Sequence, residues 1–92
     1  MNLVVCYDVV EDRRRNRLFK GLCGFLHPVQ KSVFEGHLPV RRFPALIDLI
    51  EAEIDHQTDT VRVYHLCKTC QGKIDLIGTS PEISRVPQDI IL

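Results

Sequence analysis

No apolar run in this sequence approaches the roughly 20 residues that a membrane-spanning helix needs, so no contact with a bilayer is expected. Met1-Asn2-Leu3-Val4 lacks a basic segment, and acidic and basic residues follow at once, so a secretory signal is not expected either. Four cysteines without such a signal point to reduced thiols in the cytoplasm rather than to a disulfide framework. Internal repeats and low-complexity stretches are also missing. What is present is ordinary: 92 residues, 45% of them hydrophobic and 26% charged. That is the composition of a soluble globular domain, not of a disordered tail or a fibre. The chain has room for one domain. A domain this short buries only about 60–65% of the surface its unfolded chain exposes, so its core has little to spare.

The formal net charge of zero hides an asymmetry. Residues 1–46 carry eight Lys or Arg against four acids, and residues 47–92 carry four against eight. From Arg13 to Arg42 eight basic residues face one acid, Glu35. Clustered basic charge is the footprint of a polyanionic partner. Two oppositely charged faces on one small domain would give the same pattern.

Leu3-Val4-Val5-Cys6-Tyr7 is a β-rich run, apolar on both faces, that ends at Asp8. Such strands are usually covered on both sides. Asp12 is a plausible cap for a helix over 13–23, closed by Gly24. Leu18, Phe19 and Leu22 would face inward, with Arg13, Arg17 and Lys20 stacked on the opposite face. Arg15 falls within the apolar stripe at the end nearest Asp8, so it either snorkels out or is held by a carboxylate. Residues 25–38 suit two short strands around a tight turn at Lys31-Ser32. An amphipathic helix over 43–54 places Phe43, Leu46, Ile47, Ile50 and Ile54 on one stripe, with Pro44 tolerable in its first turn. Asp59 leads into an alternating strand over 60–66, and a short strand over 74–77 follows the Gln71-Gly72 turn.

The order β-α-β-β-α-β, with an additional C-terminal strand, predicts an α+β sandwich of ferredoxin-like type over residues 1–78. Residues 79–92 form a tail that could dock on a dimer mate or a partner protein. Two helices cover one face of such a sheet. With 92 residues, the simplest cover for the other face is a second copy of the chain, so a homodimer is expected.

Asp8 is the acid best placed for chemistry. A carboxylate at a strand end can ligate Mg²⁺, which takes oxygen ligands and often only one or two protein carboxylates. A two-fold dimer with this strand end near its axis would pair two Asp8 side chains against a phosphate. Capping of the helix, or a pair with Arg15, would explain Asp8 without any chemistry. Ser32 reads as a turn residue, and Phe34 as core or dimer-interface packing.

Tyr7-Asp8, the arginines Arg13, Arg14, Arg15 and Arg17, and the run Val29-Gln30-Lys31-Ser32-Val33-Phe34-Glu35-Gly36 together resemble the CRISPR-associated protein two family. The likeness continues through the second helix and Asp59-Thr60-Val61-Arg62-Val63-Tyr64, covering about residues 1–78. It implies a ferredoxin-like homodimer that acts with the CRISPR-associated protein one integrase in capturing foreign DNA. It also implies a Mg²⁺-dependent endonuclease on RNA or DNA. Asp8 would then bind the metal with Tyr7 beside it, Arg15 and Arg17 would match the family's helix arginines, and Ser32 and Phe34 its Ser-x-Phe. Arg13, Arg14, Arg17, Lys20 and Lys31 are the expected nucleic-acid contacts. One departure stands at Pro28, where the family often has a basic residue; His27 replaces it only in part, being mostly neutral at pH 7. A non-catalytic dimeric bracket that grips duplex DNA for the integrase is the alternative. It needs the arginines but not Asp8.

Cys67-Lys68-Thr69-Cys70 is a C-x-x-C with His65 just before it, two ligands where zinc takes about four. Cys6 and Cys23 read as buried small apolar residues.

Overall fold

The computed structural model describes residues 1–67 and Ile77. Their elements run β1 (Asn2–Asp8), α1 (Asp12–Leu22), β2 (His27–Gln30), β3 (Val33–His37), α2 (Phe43–Glu53) and β4 (Thr60–Leu66), with a single 3₁₀ turn, Val40–Arg42, before α2. The four strands form one antiparallel sheet in the order β2-β3-β1-β4. This is the ferredoxin-like arrangement, with β1 at its centre. The strand expected over 74–77 (Ile77 apart), Cys70 and the 79–92 tail lie outside the described residues.

Side chains alternate across β1, so Leu3, Val5 and Tyr7 are buried while Val4 and Cys6 are only half-buried. The buried set packs with Leu18 and Leu22 of α1, Leu46 and Ile50 of α2, and Phe34 of β3. Each Leu taken fully out of water contributes about 1.5–3 kcal/mol relative to an exposed one. Both helices therefore cover one face. The other face of β1 has no cover among the described residues.

α1 forms because its eleven residues contain no β-branched side chain to restrict the backbone. Its cap differs from the expectation. Glu11, not Asp12, has the extended backbone of a cap, and its Oε1 accepts from the Arg14 amide at 3.0 Å. Asp12 is the first helical residue, where its charge favours the positive helix end. Phe19 sits at the edge of the apolar stripe, 39% exposed, edge-on to Phe34 at 5.2 Å. Cys23 is exposed and Cys6 half-buried, so neither is a core residue. Cys23 follows Leu18 by five positions, about 140° around the helix, which turns it off the buried stripe.

Lys31-Ser32 makes the tight turn between β2 and β3, with Ser32 in the left-handed region at φ 64°. The Ser32 carbonyl accepts from the Tyr7 amide at 3.1 Å, tying the turn to the end of β1. Pro28 pairs with Phe34 from β2, an edge strand, where a missing N–H does little harm. α2 carries Pro44 in its first turn, and Leu46 and Ile50 are the buried part of its stripe. Where α1 and α2 cross, a Cβ added at Gly21 would come within 2.6 Å of a Leu49 methyl.

Candidate active site and nucleic-acid interface

Asp8 is exposed at the last position of β1, directly opposite Thr60 of β4. Strand alternation places it on the uncovered face, with Val4 and Cys6. Residues in register there include Val33 and Glu35 of β3 and Arg62 and Tyr64 of β4. Neither structural role open to Asp8 is taken. Glu11 caps the helix, and Arg15 donates instead to the Val9 carbonyl at 2.7 Å and to the Asp12 carboxylate. Among the described residues the Asp8 carboxylate has no hydrogen-bond or ion-pair partner, so its lone pairs are open to a cation or to water.

Tyr7 points the other way. It is 7% exposed, beneath the helices, with its ring 6.2 Å from Phe34. Burial pushes its hydroxyl above the usual phenol range, against the pull of the Ser32 hydroxyl and the Arg15 charge. Tyr7 and Asp8, adjacent in sequence, thus lie on opposite faces of the sheet. Phe34 is fully buried core, and Ser32 is the turn residue.

The basic residues divide into two groups. Arg13, Lys20 and Lys31 are exposed and have no ion pair among the described residues. Arg17, 54% exposed, meets Glu53 at 2.9 Å, a surface pair of the kind that contributes only about 0–1 kcal/mol and is readily exchanged for a phosphate. Arg14 differs. Its Nε and Nη2 donate to Asp59 at 3.0 and 3.3 Å, so its guanidinium is already engaged within the fold. Arg42, which the sequence did not single out, stacks on Phe25 with its guanidinium 4.5 Å from the ring centre.

Asp59 is the site-adjacent residue that sequence reasoning missed. Its side chain has no exposed surface, and it accepts from Val10 N at 3.1 Å, Asp55 N at 2.9 Å and the Thr58 hydroxyl at 3.1 Å, besides Arg14. The Arg14 guanidinium, foremost, holds the Asp59 carboxyl far below the usual carboxylate range against the opposing effect of burial, and Arg14 is raised in turn. Its partners Arg14 and Val10 lie 45 and 49 positions away, so no local pattern announces its role at the β1–α1 junction.

No group of three or more His, Cys, Asp or Glu among the described residues could hold a metal ion. One copy thus offers a single strand-end carboxylate. That donor set suits Mg²⁺, which keeps several waters and accepts one or two carboxylates plus phosphate oxygens, and it does not suit a closed all-protein site.

Fold and site together define a class: a small ferredoxin-like domain with an open carboxylate at the end of its central strand and a cation-rich helix beside it. The chain belongs to the CRISPR associated protein Cas2 family, whose sequence profile matches residues 1–74. It is 42% identical to "CRISPR-associated endoribonuclease Cas2 2" of Methanospirillum hungatei over 91 residues, covering 94% of this chain and 97% of that protein. It is 33% identical to "CRISPR-associated endoribonuclease Cas2 1" of Chloroflexus aurantiacus, covering 100% and 99%. Among solved structures, Streptococcus pyogenes Cas2 aligns with a TM-score of 0.76 at 29% identity, covering 85% of this chain and 100% of that one. A hypothetical protein from Thermus thermophilus aligns at 0.77 with 30% identity, covering 87% and 93%.

Proposed function

We propose that this chain is a Mg²⁺-dependent endonuclease that hydrolyses phosphodiester bonds in RNA or DNA. In this reading it works as a homodimer in the cytoplasm, beside the CRISPR-associated protein one integrase, during spacer acquisition. The observation that carries the reading is Asp8: an exposed carboxylate at the end of the central strand, without a partner among the described residues. The names of the curated relatives, each an endoribonuclease, support the nuclease class. Asp8 and Asp8 of a second copy would hold Mg²⁺, which supplies Lewis acidity toward a phosphoryl oxygen and a bound water of lowered pKa. Arg13, Lys20 and Lys31 draw in the polyanion, and Arg17 exchanges Glu53 for a phosphate oxygen. Arg15, fastened to the Val9 carbonyl, keeps positive charge next to the strand end.

The bracket reading gains one specific observation, the single carboxylate per copy. It needs the exposed cations and leaves Asp8 without a task. A nuclease assay of highly purified wild type and Asp8→Asn, with and without Mg²⁺, separates the two readings. Asp8→Asn nearly keeps the side chain's shape and removes its charge. It is expected to abolish metal-dependent cleavage while leaving dimerisation and binding intact. A variant that cleaves at the wild-type rate removes Asp8 from the site, and a wild type that never cleaves favours the bracket.

A further inference from the structure

The β1–α1 crossing, residues 9–11, is fastened on two sides. The Val9 carbonyl accepts from Arg15, the Val9 side chain is 2% exposed, and the Val10 amide donates to Asp59 at 3.1 Å. Asp59 immediately precedes Thr60, the residue opposite Asp8 in the sheet. One buried carboxylate therefore reaches the backbone two positions beyond Asp8 and adjoins its cross-strand partner. Through Arg14 it also fixes the first turn of α1, and through Asp55 and Thr58 the exit from α2.

We propose that Asp59 is a positioning residue for Asp8, holding the end of β1 where the Asp8 carboxylate must stand, with Arg14 as its counter-charge. The proposal rests on the reading of Asp8 as the metal-holding carboxylate. Among the described residues the Asp8 carboxylate makes no hydrogen bond, so its place there is set through the backbone, which pairs with Thr60. Strand ends ordinarily open locally at little cost, whereas a reacting constellation tolerates errors of only about 0.5 Å. A charge without solvent exposure is retained only when its lone pairs are met. Asp59 meets that condition with donors from the segments that converge on Asp8.

The test compares Asp59→Asn, Arg14→Lys and Asp8→Asn in the full chain, with Leu22→Val as a core variant of lowered stability at the far end of α1. Readouts are amide hydrogen exchange, RNA affinity without metal, and Mg²⁺-dependent steady-state cleavage. Asp59→Asn and Arg14→Lys are expected to speed exchange at Val10 and Glu11 with Val5 and Phe34 unchanged. They should lower kcat by about 10- to 100-fold, as lost outer-shell partners do, with KM and RNA affinity held. Unchanged exchange at Val10 in a folded variant overturns the proposal, as does a kcat loss no greater than that of Leu22→Val. Should Asp59→Asn fail to fold, Arg14→Lys decides, since it keeps the charge and loses only the fork. Wild-type cleavage by Asp8→Asn defeats the reading of Asp8, while the exchange result at Val10 still judges the clamp by itself.

Discussion

Two carboxylates close to each other in the fold have opposite circumstances. Asp8 is exposed and has no partner among the described residues, whereas Asp59 is enclosed and met by five donors. A carboxyl held below its unfolded pKa contributes stability that is complete above that value and lost as pH falls through the folded one. The unfolded aspartate value is about 3.9, so the contribution of Asp59 is whole at neutral pH and declines below about pH 4. Wild type is therefore expected to be more stable than Asp59→Asn at pH 7, with the gap narrowing below about pH 4. Thermal unfolding of both from pH 7 to acid checks this, and a gap independent of pH would refute it. The sequence made Asp8 conspicuous, since it ends an apolar run before an arginine-rich stretch. It hid Asp59, because only the tertiary fold brings positions 10, 14 and 59 together. The same limit explains Arg15: helical periodicity turned it toward the strand end, but the carboxylate that receives it is Asp12, one turn back on its own helix.

At the level of elements, periodicity was informative wherever one face of a segment is buried and the other is not. Strand β4 and the stripe of α2 were legible for that reason, whereas β1 showed as a β-rich run apolar on both faces. The caps and helix ends were less so, since Glu11 and Asp12 are both acids and only backbone geometry separates their roles. The helix crossing could not be read at all, because it depends on Gly21 meeting Leu49. Gly21→Ala gains about 0.8–1 kcal/mol of helix propensity but overpacks against Leu49, typically costing about 1–3 kcal/mol. The net expectation is a loss of up to about 2 kcal/mol, and Leu49→Ala in the same chain should restore the gain. Denaturant unfolding of the two single variants and the double checks the coupling, and additive effects would deny the contact. α1 also separates binding from stability. Replacing Arg13 and Lys20 with Ala should reduce the slope of log affinity against log salt by about 1.4–1.8 for RNA or duplex DNA, with the fold unchanged. Arg14→Ala should instead lower stability first. Affinity that ignores both salt and the paired substitution would place the polyanion elsewhere.

At the scale of the whole molecule, the decisive feature is that, among the described residues, the helices cover one side of the sheet only. Val4 and Cys6 lie half-buried on the other, in register with Val33 and Tyr64, the latter 46% exposed. Apolar surface at the centre of a sheet favours association, and in the proposed homodimer a second copy would cover it and bring the two Asp8 carboxylates together. Light scattering at micromolar concentration is expected to return twice the 10.6 kDa of the chain. A single mass near 10.6 kDa would refute the dimer. Charged substitution at Val4 is expected to shift the mass toward the monomer without unfolding the helix-covered core.

The opposed directions of Tyr7 and Asp8 set a rule for how this protein can vary. Exchanging one side chain along β1 has a graded effect, because each position keeps its side of the pleat. Removing or adding one residue upstream of them, with the ladder otherwise kept, rotates every later residue to the other side. The carboxylate would then be driven beneath the helices and the phenol out into water. β1 can therefore change its letters but not its length. A library of single-residue deletions would show this as an absence of tolerated deletions inside the central strand.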